Sequence, residues 1–109
     1  MHQWIDIAAL DDIPRLGARV VKTRTLDIAV FRTADDRVFA LKDACPHRNG
    51  PLSQGIVHDH SVTCPLHNWK IDLASGQAKA PDAGCTGVYP VKVENGRVHL
   101  GLAKAALAA

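Results

Sequence analysis

Aromatic residues are scarce in this 109-residue chain: two Trp, two Phe and one Tyr, within an apolar fraction of 47%. The apolar content is still that of an ordinary globular domain. No apolar run approaches the roughly eighteen residues that a membrane span needs, so no membrane partner is expected. Neither sign of charge dominates. Thirteen Lys and Arg stand against eleven Asp and Glu, scattered rather than collected into a block, and no nucleic-acid partner is indicated. The opening MHQWIDIAAL lacks a basic segment, an apolar h-region and a small-residue cleavage site, so a cytoplasmic location is expected. A Gly-rich dinucleotide fingerprint of the G-x-G-x-x-G type is also missing. The length suits one domain and leaves no room for a cofactor-binding domain beside a catalytic one. Cysteine is limited to three residues. In a reducing compartment an odd, sparse set points to metal or catalysis rather than to a disulfide framework.

What the chain does contain is a series of short β segments. Residues 4–7, 18–22, 26–32 and 38–41 read as strands, with Asp35 and Asp36 as a hairpin turn between the last two. Residues 55–57 and 61–64 form a further hairpin with HDH at its tip, and 69–73 follow as another strand. From Gln77 the segment KAPDAGCTG reads as loop. VYPVKVENGRVHL then alternates well around Asn95-Gly96, the strongest short hairpin signal in the chain. The tail GLAKAALAA has helix-forming residues but is too short to be a stable isolated helix.

The chemistry gathers in two loops. CPHRNGPLSQG begins at Cys45, and CPLHNWK begins nineteen residues later at Cys64. The pattern is Cys45-x-His47, sixteen residues, then Cys64-x-x-His67. Pro46 and Pro65 stiffen the two loops, while Gly50 and Gly55 permit close backbone approach. Two thiolates and two imidazoles suit one tetrahedral zinc, or a [2Fe-2S] cluster in which histidines replace two of the cysteines. Zinc sites usually group like ligands, whereas each loop here carries one of each kind. His58 and His60, flanking Asp59, together with His2 and His99, read as surface or structural histidines. Cys85, in a Gly-rich loop with no base or basic cluster beside it, reads as a buried and inert thiol.

The mixed pairing resembles the Rieske iron–sulfur family, whose pattern is Cys-x-His, a spacer and Cys-x-x-His. The resemblance implies that Cys45 and Cys64 hold one iron of a [2Fe-2S] cluster and His47 and His67 the other. It implies an all-β fold of antiparallel sheets over residues 1–109, with a cluster-binding subdomain at about 43–83 inserted in a sandwich or barrel-like base, and a short tail at 101–109. Respiratory members carry an extra disulfide-linked cysteine in each loop, where this chain has Gly50 and Leu66. They also carry Ser and Tyr hydroxyls that donate towards the sulfurs, where this chain has Trp69 and Ile71. A potential near the lower end of the family's range of about −150 to +300 mV is therefore expected.

CPHRNGPLSQG and CPLHNWKIDLASGQA, with PDAGC and the closing VYPVKVENGRVHL, are similar to the small subunit of assimilatory NAD(P)H-dependent nitrite reductase. That resemblance implies a large flavin- and sirohaem-containing subunit as partner. The alternative is a stand-alone Rieske ferredoxin serving an aromatic-ring dioxygenase, with a reductase and an oxygenase as partners; such ferredoxins share the CPLH loop but usually follow the second His with Gly rather than Asn68-Trp69. A zinc-binding structural module is the third reading. The chain alone has no complete active site: no sirohaem and [4Fe-4S] ligand set, and no space for a 2-His-1-carboxylate oxygenase domain. Arg48 and Lys70, next to the ligands, are candidates for steering an acidic docking surface.

Overall fold

The computed structural model describes residues 2–24, 26–46, 50–66, 68–80 and 83–103. Among these, the chain runs through β1 (His2–Ala9), β2 (Gly17–Lys22), β3 (Asp27–Arg32), β4 (Val38–Lys42), β5 (Ile56–His58), β6 (Ser61–Thr63), β7 (Lys70–Asp72), β8 (Val88–Tyr89), β9 (Val91–Glu94) and β10 (Arg97–Ala103). Two single-turn 3-10 helices, Leu10–Asp12 and Leu52–Gln54, complete the described elements. The fold is all-β, and every strand pair is antiparallel. The strands form three sheets in the orders β1-β10-β9, β2-β3-β4-β8 and β5-β6-β7. No helix among the described residues is long and apolar enough to cross a membrane.

The second sheet is the middle layer, and β3 explains why. Its residues Ile28 to Arg32 are all buried, a continuous run typical of a strand covered on both faces. Alternate side chains then serve different cores. Ile28 and Val30 pack with Ile13, Ala40, Val98, Leu100 and Leu102 towards the first sheet. Ala29 and Phe31 pack with Leu41, Leu52, Val57, Val62, Ile71 and Leu73 towards the third. Each fully buried side chain of this size contributes about 1.5–3 kcal/mol from apolar burial alone.

The turns follow local chemistry. Asn95 and Gly96 both take positive φ, 52° and 75°, which makes the type I′ connection whose twist suits a two-residue hairpin between β9 and β10. Asp36 has φ 63° in the β3–β4 turn, and Asp59 has φ 51° in the β5–β6 turn. The Asp36 carboxylate accepts two bonds from the Arg15 guanidinium, at 2.8 and 3.0 Å, and two from Arg32, at 3.0 and 2.8 Å. Arg32, only 7% exposed, also donates to the carbonyls of Leu10 and Ile13 at 3.1 and 2.9 Å. This network fastens the segment before β2 to the hairpin. The Arg15 and Arg32 guanidinium groups hold the Asp36 carboxyl at about 2.

Two expected boundaries move. The alternating segment from residue 88 is divided at Pro90, with β8 pairing to β4 and β9 pairing to β10 in a different sheet. Proline has no N–H to give a ladder, and the chain changes sheet there. Of the tail, residues 101–103 extend β10, and residues 104–109 lie outside the described residues.

Candidate metal centre

The third sheet carries one site loop and faces the other. β4 leads through Asp43 and Ala44 into Cys45, and β6 leads directly into Cys64. Both cysteines are 1% exposed and belong to the same apolar cluster as Phe31, Leu41 and Leu52. None of the three cysteines is in a disulfide. His47 and His67, expected as the other two ligands, lie outside the described residues, as does Arg48. The structure thus brings Cys45 and Cys64 into one core.

Each loop closes on itself through backbone bonds. The Cys45 N–H donates to the Gly50 carbonyl at 2.8 Å, the Cys64 N–H to the Trp69 carbonyl at 2.7 Å, and the Asn68 N–H back to the Cys64 carbonyl at 3.2 Å. Asn68 takes φ 59°, a left-handed conformation that Asn tolerates better than most residues. The loops also meet each other. A Cβ on Gly50 would come within 3.1 Å of Cys64 Sγ and 2.8 Å of Leu66 Cδ1, so a side chain there would crowd the sulfur and force Leu66 to move. Gly50 and Leu66, the positions set against the disulfide of respiratory relatives, are therefore neighbours.

A third segment straps both loops. A side chain at Gly84 would touch Pro46 at 3.3 Å and Trp69 at 3.6 Å. The Gly84 carbonyl accepts from the Ala78 N–H, and the Gly76 carbonyl accepts from the Thr86 N–H, both at 2.8 Å. Thr86 Oγ1 donates to the Ala44 carbonyl at 2.9 Å. The expectation that Cys85 is buried does not hold, since it is exposed. The cause is strand-like alternation: Cys85 bridges to Gln77, so with Thr86 turned towards Ala44 its side chain falls on the outer face.

The remaining histidines have other partners. His58 Nε2 is 2.7 Å from Thr63 Oγ1, and His60 Nε2 is 3.1 Å from Asp35 Oδ2. The His60 ring also lies 5.6 Å from that of Phe39. His99 is half-buried in β10, and the His2 side chain lies outside the described set. Trp69 is half-buried, and Ile71 is wholly buried in the core, so neither position brings a hydroxyl to the sulfurs. Around the second loop, Pro65, Asn68 and Lys70 are exposed, and Leu66 is 55% exposed.

Sequence reasoning missed Asp43 and Ser53. Asp43 accepts from the Ser53 backbone N–H at 2.7 Å and from its hydroxyl at 2.8 Å, closing the first loop at its base. Ten residues separate them, so no short-range pattern marks the pair. Two buried thiols from separate loops, unbridged and in one apolar cluster, with Cys64 Sγ beneath Gly50, suit a thiolate-ligated metal group. A metal offsets the cost of burying charged sulfur.

Comparison with known proteins agrees with this donor chemistry. Residues 3–101 match the model of the Rieske-like [2Fe-2S] domain. The ferredoxin component of naphthalene 1,2-dioxygenase/salicylate 5-hydroxylase systems of Ralstonia sp is 36% identical over 91% of this chain and 95% of its own length. The anthranilate 1,2-dioxygenase ferredoxin subunit of Burkholderia cepacia is 37% identical over 92% and 93%. A solved structure described as an NADPH nitrite reductase small subunit superposes with a TM-score of 0.80 at 28% identity, covering 93% of this chain and 99% of that one.

Proposed function

The chain belongs to the family of Rieske-like [2Fe-2S] domains, and on that premise we propose that it carries single electrons from a reductase to the oxygenase of an aromatic-ring dioxygenase system. The chain is a Rieske ferredoxin-type electron carrier with a [2Fe-2S] cluster, which removes the zinc module. The observation that carries the finer reading is end-to-end similarity above one-third identity to ferredoxin components of such systems. Those relatives match this chain in length, and the chain has no catalytic apparatus of its own to add.

When bound, the cluster supplies reversible one-electron transfer. In this reading Cys45 and Cys64 hold one iron as thiolates, and His47 and His67 hold the other. Phe31, Leu41, Leu52 and Ile71 pack around the two cysteines and keep water from the sulfurs. Gly50 gives the first loop its seat over Cys64, and the exposed Leu66 leaves an apolar tip for contact with a partner. Lys70, exposed beside that tip, favours an acidic counterpart.

A second reading, the small subunit of an assimilatory NAD(P)H nitrite reductase, is supported by Asn68-Trp69 after the second histidine and by the likeness to a nitrite reductase small subunit. Reconstitution separates the two. The protein is mixed with NADH, the reductase and the oxygenase of an aromatic-ring dioxygenase system, and hydroxylated product is measured. Product that depends on this chain is expected, with no stable complex on a flavin and sirohaem nitrite reductase subunit. Co-elution with that subunit, together with restored nitrite-dependent NAD(P)H oxidation and no support of the oxygenase, overturns the ferredoxin assignment.

A further inference from the structure

We propose that Asp43 is a positioning residue for the first ligand loop, tying the loop's entry to its exit through Ser53 and so fixing the segment that carries Cys45 and His47. The proposal rests on the reading that these residues hold the cluster. Both oxygens of the carboxylate are spent on one residue: Oδ1 accepts the Ser53 N–H at 2.7 Å, and Oδ2 accepts the Ser53 hydroxyl at 2.8 Å.

Each end of this clamp is itself held. The Asp43 N–H donates to the Asp27 carbonyl at 2.9 Å, at the start of β3. Ser53 sits in the 3-10 helix Leu52–Gln54, whose Leu52 is wholly buried in the core that contains Cys45 and Cys64. Pro51, at the N-cap of that helix, supplies no side-chain acceptor. Asp43 therefore provides from ten residues away what a capping side chain ordinarily provides from one turn away.

The clamp acts on the loop rather than on the core. Between Asp43 and Ser53 the bond that closes the loop across its middle is the Cys45 N–H to Gly50 carbonyl; Ala44 is held by the Lys42 carbonyl and the Thr86 hydroxyl, and the Pro51 and Leu52 carbonyls accept from Gln54 and Gly55 within the 3-10 turn. Without the carboxylate the exit of the loop keeps only the buried Leu52 and loses its bonded tie to the entry, and the added freedom of the segment works against holding ligands in one geometry. Ligand orientation and hydrogen bonding in turn tune the electronic properties of an iron–sulfur centre.

The test compares Asp43→Ala, Asp43→Asn and Ser53→Ala with the wild-type holoprotein, reading iron release to a chelator and the g values of the reduced EPR spectrum. Asp43→Ala is expected to release iron about tenfold faster, Ser53→Ala about threefold faster, and Asp43→Asn, whose Oδ1 still accepts the Ser53 N–H while its amide N–H now donates to the Ser53 hydroxyl oxygen, within about twofold of wild type. A shifted or broadened EPR signal in Asp43→Ala accompanies the loss. Wild-type release and an unchanged spectrum in a folded Asp43→Ala protein overturn the proposal. If that variant does not fold, unchanged release from Ser53→Ala does so. An Asp43→Asn protein as leaky as Asp43→Ala assigns the effect to charge and overturns positioning. A wild-type protein without iron and acid-labile sulfide refutes the cluster assignment, a failure distinct from the others.

Discussion

Asp36 lies in the β3–β4 turn and receives two guanidinium groups, Arg15 from the segment before β2 and Arg32 from β3. Arg15 first, and then Arg32, hold its carboxyl at about 2, below the roughly 3.9 of an unfolded chain. Because the folded value is the lower one, its stabilisation is fully present above about pH 4 and is lost as pH falls from there towards 2. Denaturation midpoints are expected to drop across that window more steeply in wild type than in Asp36→Asn; parallel profiles would remove Asp36 from the acid response. At the site, Trp69 and Ile71 leave the sulfurs without the hydroxyl donors of high-potential relatives, so voltammetry is expected to place the couple below about +100 mV. A clearly higher value would mean that donors from elsewhere compensate. That the Cys45 and Cys64 loops belong together was legible because proline and spacing mark each loop locally, and both cysteines lie in one core. Asp43 and Ser53 were not, because their bond exists only once the loop has closed.

Among the elements, β3 links the two halves of the molecule. Leu41 of β4 lies on the site side of the middle sheet with Phe31, whereas Leu100 of β10 lies on the opposite side with Val30, and both are wholly buried. Leu41→Ala and Leu100→Ala are each expected to cost about 2–5 kcal/mol in denaturant unfolding. Only Leu41→Ala should alter the visible or EPR spectrum of the holoprotein; equal spectral change in both would mean that the two cores are not separable in effect. Strand existence was readable from period-two patterning and turn residues, with ends shifted by a residue or two. DIAVFR announced a strand but not that two different layers would claim its alternate side chains. Pro90 was present within VYPVKVENGRVHL, yet which sheet each half joins depends on β4 and β10, some fifty residues back and a few ahead, and that information is not local.

For the whole molecule, family and cofactor followed from four residues in two loops, while the partner did not. Thirteen cationic against eleven acidic side chains give no strong field to name a docking surface, and Asn68-Trp69 pulls towards one partner class while similarity along the chain pulls towards another. A carrier of this kind is distinguished by what it touches, and the exposed residues beside the two loops, Leu66, Lys70 and Gly84, carry too little charge or pattern to name a partner. The strap at Gly84 was expected only as loop, because its contacts with Pro46 and Trp69 are made across the fold.

The register of β1 on β10 runs from His2 opposite Ala103 to Ala9 opposite Arg97, so β1 waits for a strand made after all the other described strands. The middle and third sheets use mainly neighbouring stretches of chain, and hairpins of that kind close quickly. The outer sheet cannot assemble until β10 has left the ribosome, and until then the apolar face of Ile28, Val30 and Ala40 lacks Val98, Leu100 and Leu102. The nascent domain is therefore expected to be most vulnerable to aggregation just before β10 emerges, in an interval when the half that carries Cys45 and Cys64 can already be in place.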